Sequence, residues 1–260
     1  MTQYRNMAAL GSSFAAGPGI EPVEDANAMR SSRNYAHLLA ARFGAQLTDL
    51  TVSGATTATI LDTPQQTMAG VEFPPQIDGL PADADLVTIT AGGNDLQFAG
   101  SMLYTAWSRF QPDGPMVAML AQGFAAGIPE PTEQRIEAVA EGLATVVAEV
   151  RLRAKHARVV LVDYLTVIDR NTEVSIFSPS ELESFLHIQE ALAMGYRIAA
   201  ERSGAELVKA SQLSVGHGLG SSEPWVFDFQ PSLERTGSSF HPNDAGMSAI
   251  ADTLAQRLAL

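Results

Sequence analysis

Short apolar runs alternating with amphipathic stretches predict a single α/β domain. Its core is a doubly wound, mostly parallel sheet with helices on both faces. Three observations carry this. The apolar runs end in small or polar residues, as strands do when they open into loops. The longer segments between them repeat apolar residues at helical spacing. No polar linker or repeat divides the 260 residues, so residues 1–260 are read as one domain.

Residues 7–10 are the first strand, buried and central, feeding Gly11-Ser12-Ser13. The stretch 33–43 has helical periodicity and is the first helix. A second strand covers 47–52, stops at Ser53-Gly54, and is followed by a short helix over 56–61. The Pro/Gly-rich segment 62–81 is mainly connection, with a turn of helix allowed at 68–73. The third strand, 85–90, buries Leu86, Val87 and Ile89 and runs into Gly92-Gly93-Asn94-Asp95. Residues 96–127, rich in Phe, Met, Ala and Gly, predict helical pieces over or beside a crevice, ended by Pro129 and Pro131.

Thr132 then caps a long amphipathic helix reaching about residue 155, with Glu133 and Glu137 near its positive end. Its apolar stripe is Ile136, Val139, Leu143, Val146, Val147 and Val150. A short apolar strand at 159–162 closes at Asp163-Tyr164. A helix over 184–202, an edge strand at 206–208 and a terminal helix over 244–258 complete the order.

Composition excludes several classes. The chain is 46% hydrophobic and 17% charged, which suits a sizeable core. No apolar run is long enough to span a bilayer, so no integral membrane association is expected. The first residues lack the basic start and apolar core of a signal peptide. The expectation is therefore a cytoplasmic protein, with a secreted mature form left open. Cysteine is absent, which rules out disulfides, thiolate nucleophiles and thiolate metal sites. Net charge is -13 and the only lysines are Lys155 and Lys209, so nucleic acid is not an expected partner. No oligomeric state is implied.

Two distant segments suggest chemistry. Ser13 sits where a strand gives way to a turn, and His241 lies in Ser238-Ser239-Phe240-His241-Pro242-Asn243 before the last helix. A serine hydroxyl needs a neighbouring base to attack, and a neutral imidazole can take its proton. On local sequence alone Ser12 and Ser13 also read as a helix cap, and His241 as a surface loop histidine. Gly54 and Asn94 also follow strands, where ends converge on one crevice in an open α/β sheet. With the Ser13 N–H they form a candidate oxyanion hole; separately they read as turn residues. Phe98, Trp107 and Phe110 are candidates for an acyl pocket or for core, and Tyr164 for substrate contact or sheet-edge packing. Asp95 either caps the following helix or bonds across the crevice. His37 is placed on the first helix's surface, and His156, His187 and His217 lack evident metal partners.

The four blocks in order resemble the SGNH, or GDSL-like, hydrolases over nearly the whole chain. Gly11-Ser12-Ser13-Phe14 matches the nucleophile block, Val52-Ser53-Gly54-Ala55 the glycine block, Gly92-Gly93-Asn94-Asp95 the Gly-x-Asn-Asp block, and His241-Pro242 the histidine block. The resemblance implies a flavodoxin-like three-layer α/β/α sandwich. It implies a serine esterase acting through an acyl-enzyme, without cofactor or metal, on a small-molecule or lipid-like ester. Ser13 and His241 would be catalytic, with Ser13, Gly54 and Asn94 holding the oxyanion. The apolar 96–127 segment favours a short- to medium-chain or otherwise apolar acyl group. A carbohydrate O-deacetylase, or a non-catalytic ligand-binding protein on the same scaffold, remains an alternative.

Two positions depart from the family pattern. Ser12 stands where an Asp usually precedes the nucleophile, and Ser238 stands where the triad Asp is expected. A backbone carbonyl of Ser238 or Ser239 can orient the imidazole in a Ser-His dyad. Alternatively, Asp228 or Glu234 supplies a displaced acid.

Overall fold

A computed structural model of the chain describes residues 4–67, 70–170 and 173–259. In chain order the elements are β1 (Asn6–Gly11), α1 (Ser13–Ala16), β2 (Val23–Asp25), β3 (Arg30–Ser31), α2 (Tyr35–Phe43), β4 (Gln46–Asp49) and α3 (Thr57–Leu61). Then follow β5 (Gln65–Gln66), β6 (Glu72–Phe73), a 3-10 turn at Gln76–Gly79, β7 (Leu86–Thr90), α4 (Phe98–Phe110), α5 (Pro115–Phe124) and α6 (Glu133–Arg153). The chain ends with β8 (Arg158–Val162), α7 (Pro179–Ser203), β9 (Glu206–Val208), α8 (Ala210–Leu213), a 3-10 turn at Thr236–Ser238, and α9 (Asp244–Leu258).

The main sheet has the order β4-β1-β7-β8-β9, and every pair in it is parallel. Its strands alternate period-two between two cores. Ala8 and Leu10 of β1, Val87 and Ile89 of β7, and Val159 and Leu161 of β8 face one side. Met7, Ala9, Leu86, Val160 and Val162 face the other. Both faces are buried, so the strands read as continuous apolar runs. The first core is covered by α3, α4, α6 and α7, and the second by α2 and α9. This is the predicted three-layer α/β/α sandwich.

The strand order reverses beside β1, because β4 lies on one side and β7 on the other. Loops leaving β1 and β7 in opposite directions open a crevice at the carboxyl ends of those strands. Ser13 and Asn94 lie on these two loops.

Several boundaries differ from the sequence expectation. The strand expected over 47–52 ends at Asp49 as regular structure, because Asp49 Oδ1 accepts from the Thr51 N–H (3.0 Å) and hydroxyl (2.6 Å) and turns the chain. Leu50 and Val52 still donate to Ala9 O (2.9 Å) and Gly11 O (3.1 Å) of β1. No helical turn forms at 70–73; Glu72 and Phe73 pair antiparallel with Gln66 and Gln65 instead. The remaining residues of that expectation, Met68 and Ala69, lie outside the described residues. Helix α7 starts before residue 184, at Pro179. Ser178 and Glu181 form a reciprocal capping box there, with proline at the first turn. His37 is not a free surface residue. Its Nε2 lies 3.2 Å from Glu24 Oε2 and 3.6 Å from Asp49 Oδ2.

Candidate active site

Ser12 closes β1 by donating its N–H to Thr90 O of β7 at 2.9 Å. The next residue opens the one-turn helix α1, whose first N–H has no intrahelical acceptor. Among the described residues, neither the Ser13 nor the Gly54 N–H donates to another protein group. Two backbone donors therefore stand available, one after β1 and one after β4.

The glycine block is shaped from three sides. Gly54 has φ +89°, a left-handed conformation that a side chain disfavours. Ser53 donates its N–H to Ala28 O (2.9 Å), and Gln65 Nε2 donates to Ser53 O (2.8 Å). Arg30, on β3, donates from Nη1 to Thr51 O at 2.8 Å. Arg30 also pairs with Glu24 at 2.8 Å, so the Glu24, His37 and Asp49 cluster braces this loop through a guanidinium. Asp49 is deeply buried, and burial raises its pKa despite hydrogen bonds from Thr51 and Asn34.

The Gly-x-Asn-Asp block is locked to the glycine block. Asn94 Nδ2 donates to Ala55 O at 2.8 Å, which leaves the second N–H of its carboxamide for another acceptor. Of the two readings of Asp95, the bridging one is observed. Its carboxylate accepts from the Thr57 N–H (3.2 Å) and hydroxyl (2.6 Å), at the start of α3.

Tyrosines tie this block to the nucleophile turn. Tyr164 and Ser12 exchange a hydrogen bond at 2.7 Å between hydroxyls, and the Gly93 N–H donates to the same phenol at 3.1 Å. A Cβ at Gly93 would lie 2.5 Å from the Tyr164 ring, so that approach requires glycine. Burial raises the Tyr164 pKa and keeps the phenol protonated. Tyr196, on α7, donates its hydroxyl to Ala91 O (2.7 Å) and accepts the Ala91 N–H (2.8 Å). Tyr196 is absent from the sequence-based candidates. Its only signal there is a tyrosine on a core-facing helical position, whose hydroxyl needs a buried partner.

His241 is presented by a loop under constraint. The 225–227 segment pairs with it through Phe240 N to Phe227 O (2.9 Å), Phe227 N to His241 O (2.9 Å) and Asn243 N to Trp225 O (2.9 Å). Phe240 has φ +64°, a conformation that costs a non-glycine residue ~1–3 kcal/mol and is held only by surrounding packing. That packing is aromatic: Phe240 stacks on Phe229 and contacts Phe177.

The imidazole that emerges has two partners. Nε2 lies 2.8 Å from Ser13 Oγ, and Nδ1 lies 2.8 Å from the Ser239 carbonyl oxygen. A carbonyl can only accept, so the ring proton belongs on Nδ1. Nε2 then carries its lone pair toward the serine hydroxyl. Ser238 acts elsewhere: its hydroxyl donates to Arg235 O at 2.7 Å, and its own carbonyl accepts the His241 backbone N–H at 3.1 Å. Among the described residues no carboxylate bonds to the ring, Asp228 and Glu234 included. Burial therefore pushes the His241 pKa down from 6.5 to about 4, opposed only by the Ser239 carbonyl.

The pocket candidates separate. Phe98 is fully buried in the core. Tyr164 is buried too, its hydroxyl committed to Ser12 and Gly93 and its ring 4.2 Å from that of Phe14. Trp107 packs edge-on against Phe110 and Phe229, and donates from Nε1 to Thr236 Oγ1 at 2.7 Å. Phe110 alone of the four is open, 54% exposed at the end of α4. Phe229, not anticipated, completes that aromatic cluster.

The parallel sheet β4-β1-β7-β8-β9 thus presents a serine–histidine pair at the carboxyl end of β1, where open α/β sheets place their ligand crevice. Residues 9–249 match the GDSL-like lipase/acylhydrolase family, and the chain belongs to that family. It is a lipase/esterase-type carboxylic ester hydrolase. It is 33% identical over 255 residues to Lipase 2 of Streptomyces coelicolor, a match covering 94% of this chain and 82% of that one. Its fold is similar to an extracellular lipase from Streptomyces rimosus (TM-score 0.68, 24% identity, 98% of this chain and 100% of that one). It is also similar to phospholipase A1 from Streptomyces albidoflavus (TM-score 0.70, 20% identity, 96% and 99%).

Proposed function

We propose that the protein hydrolyses esters through an acyl-enzyme on Ser13, with His241 as sole base and an apolar acyl group as its preferred cargo. The observation that carries the reading is the Ser13 Oγ to His241 Nε2 contact of 2.8 Å, with Nδ1 anchored on Ser239 O. His241 takes the Ser13 proton as Oγ attacks the ester carbonyl. The Ser13 and Gly54 N–H groups and the free Asn94 N–H hold the resulting oxyanion. The imidazolium then protonates the leaving alcohol, and neutral His241 activates water against the acyl-enzyme.

A triad carboxylate normally does two things: it fixes the tautomer and it stabilises imidazolium. The Ser239 carbonyl supplies the first fully and the second only through its dipole. The exposed Phe110 at the end of α4, packed edge-on against Trp107, supports an apolar acyl group. Each methylene buried there adds ~0.8 kcal/mol of attraction. Stopped-flow hydrolysis of p-nitrophenyl esters of increasing chain length tests the reading. The expected result is a burst of one nitrophenol per active site, with medium chains faster than acetate. Strict preference for acetate would instead support the carbohydrate O-deacetylase reading.

A further inference from the structure

Gln76 lies in none of the four blocks, yet its side chain touches the residue that precedes the nucleophile turn. The carboxamide is buried. Its Oε1 accepts the Gly11 N–H at 2.8 Å, and its Nε2 donates to Gly11 O at 2.9 Å. A single residue of β1 is thus bracketed at both peptide groups, as a neighbouring strand would bracket it. The register explains the need. Strand β4 is paired with β1 only as far as Ala9 opposite Asp49, because Asp49 turns the chain away. Val52 returns one donor to Gly11 O at 3.1 Å, but no backbone carbonyl on that side meets the Gly11 N–H. Buried and unpaired, that group would go without the hydrogen bond that water gave it and leave the strand end loose. Gln76 fills the gap from the first position of its 3-10 turn, after Pro74-Pro75.

We propose that Gln76 is a positioning residue for the nucleophile: it stands in for a missing strand at Gly11 and so fixes the direction in which Ser13 Oγ meets His241 Nε2. Gly11 is two residues from Ser13, and on its other side the same turn is pinned by Ser12 N to Thr90 O. With Gln76 in place both edges of the strand end are held. Without it, one edge swings, and a displacement near 1 Å at a reacting atom costs about 100-fold in rate. Both Gln76 side-chain hydrogen bonds go to Gly11 and neither to His241, so binding and the protonation of the base are expected to stay as they are. The inference rests on Ser13 being the nucleophile.

The test uses Q76M, which fills the space without polar atoms, and Q76E, which keeps the acceptor but sets a carboxylate against the Gly11 carbonyl. Burst kinetics with a p-nitrophenyl ester give the acylation rate constant and, from its concentration dependence, the substrate Kd. Rates are referred to active sites titrated with a fluorophosphonate. The expected result is a fall in acylation of about 10- to 100-fold in both variants, with Kd and the acid limb of the pH profile unchanged. Wild-type acylation in either variant overturns the proposal. So does a loss confined to Kd, and so does failure of both variants to fold, which would make the role structural. S13A is run beside them: turnover surviving in S13A rejects the acyl-enzyme reading itself, whereas an inert S13A with normal Q76M rejects only the role of Gln76.

Discussion

Ser238 stands where the resemblance leads one to expect an acid, and its hydroxyl bonds to Arg235 O instead of to the imidazole. Among the described residues no carboxylate reaches Nδ1; the Ser239 carbonyl fixes the tautomer and raises the basicity of His241 by less than burial lowers it. Two consequences follow at this scale. S238A keeps every backbone carbonyl of the loop, so turnover is expected to stay within a few-fold of wild type, and D228N and E234Q are expected to be equally mild. Collapse of one acidic variant with the fold retained would identify a triad acid. The pH profile gives the second. Folded His241 titrates near 4 and an unperturbed histidine near 6.5. The imidazole stays neutral through that interval, so, with His241 as the proposed base, the acid limb of kcat/KM is expected well below 6.5. Stability runs the other way. Between the two values the unfolded chain binds a proton that the folded one refuses, so this group's contribution is intact above 6.5 and is lost as pH falls toward 4. An acid limb of activity near 6.5 would contradict the burial of the ring.

At the scale of elements, the site is built by loops that grip one another. Asp95 reaches from the loop after β7 to the first turn of α3, so the Asn94 and Gly54 donors move as one unit. D95A removes the acceptor for a buried hydroxyl and an N–H, and is expected to lower kcat at least 10-fold and stability by ~1–3 kcal/mol. S178A, at the cap of α7 and away from the site, is the control: about 1 kcal/mol of stability with turnover unchanged. Steady-state kinetics beside thermal melts separate the two. What was legible here follows burial. Strands β1, β7 and β8 are buried on both faces and announce themselves as apolar runs. The β5–β6 hairpin, two residues per strand, has no such signature and reads as connection. That Ser239 rather than Ser238 faces the imidazole was not legible either. It depends on Phe240 adopting φ +64°, and that is imposed by Phe229, Phe177 and the 225–227 segment, distant in sequence or irregular.

At the scale of the whole molecule, the order of the blocks was legible because the topology is simple. Each block follows a strand of one parallel sheet or precedes its last helix, so the switch point beside β1 gathers Ser13 and Asn94. The candidates for an acyl pocket were less legible, because Phe98, which is core, and Phe110, which is exposed, share one helix and differ only in which face meets the core. In the proposed mechanism one serine, deprotonated by one histidine, forms the acyl-enzyme. That step is tested most directly by treating wild type, S13A and H241A with a fluorophosphonate and a p-nitrophenyl ester, then locating the adduct by peptide mass spectrometry, with circular dichroism confirming the fold. The expected result is a single adduct on Ser13 in wild type, no adduct and no turnover in S13A, and turnover lowered by at least 1,000-fold, roughly the scale for loss of a triad member, in H241A. An adduct on any other residue, or wild-type turnover by folded S13A, would contradict it.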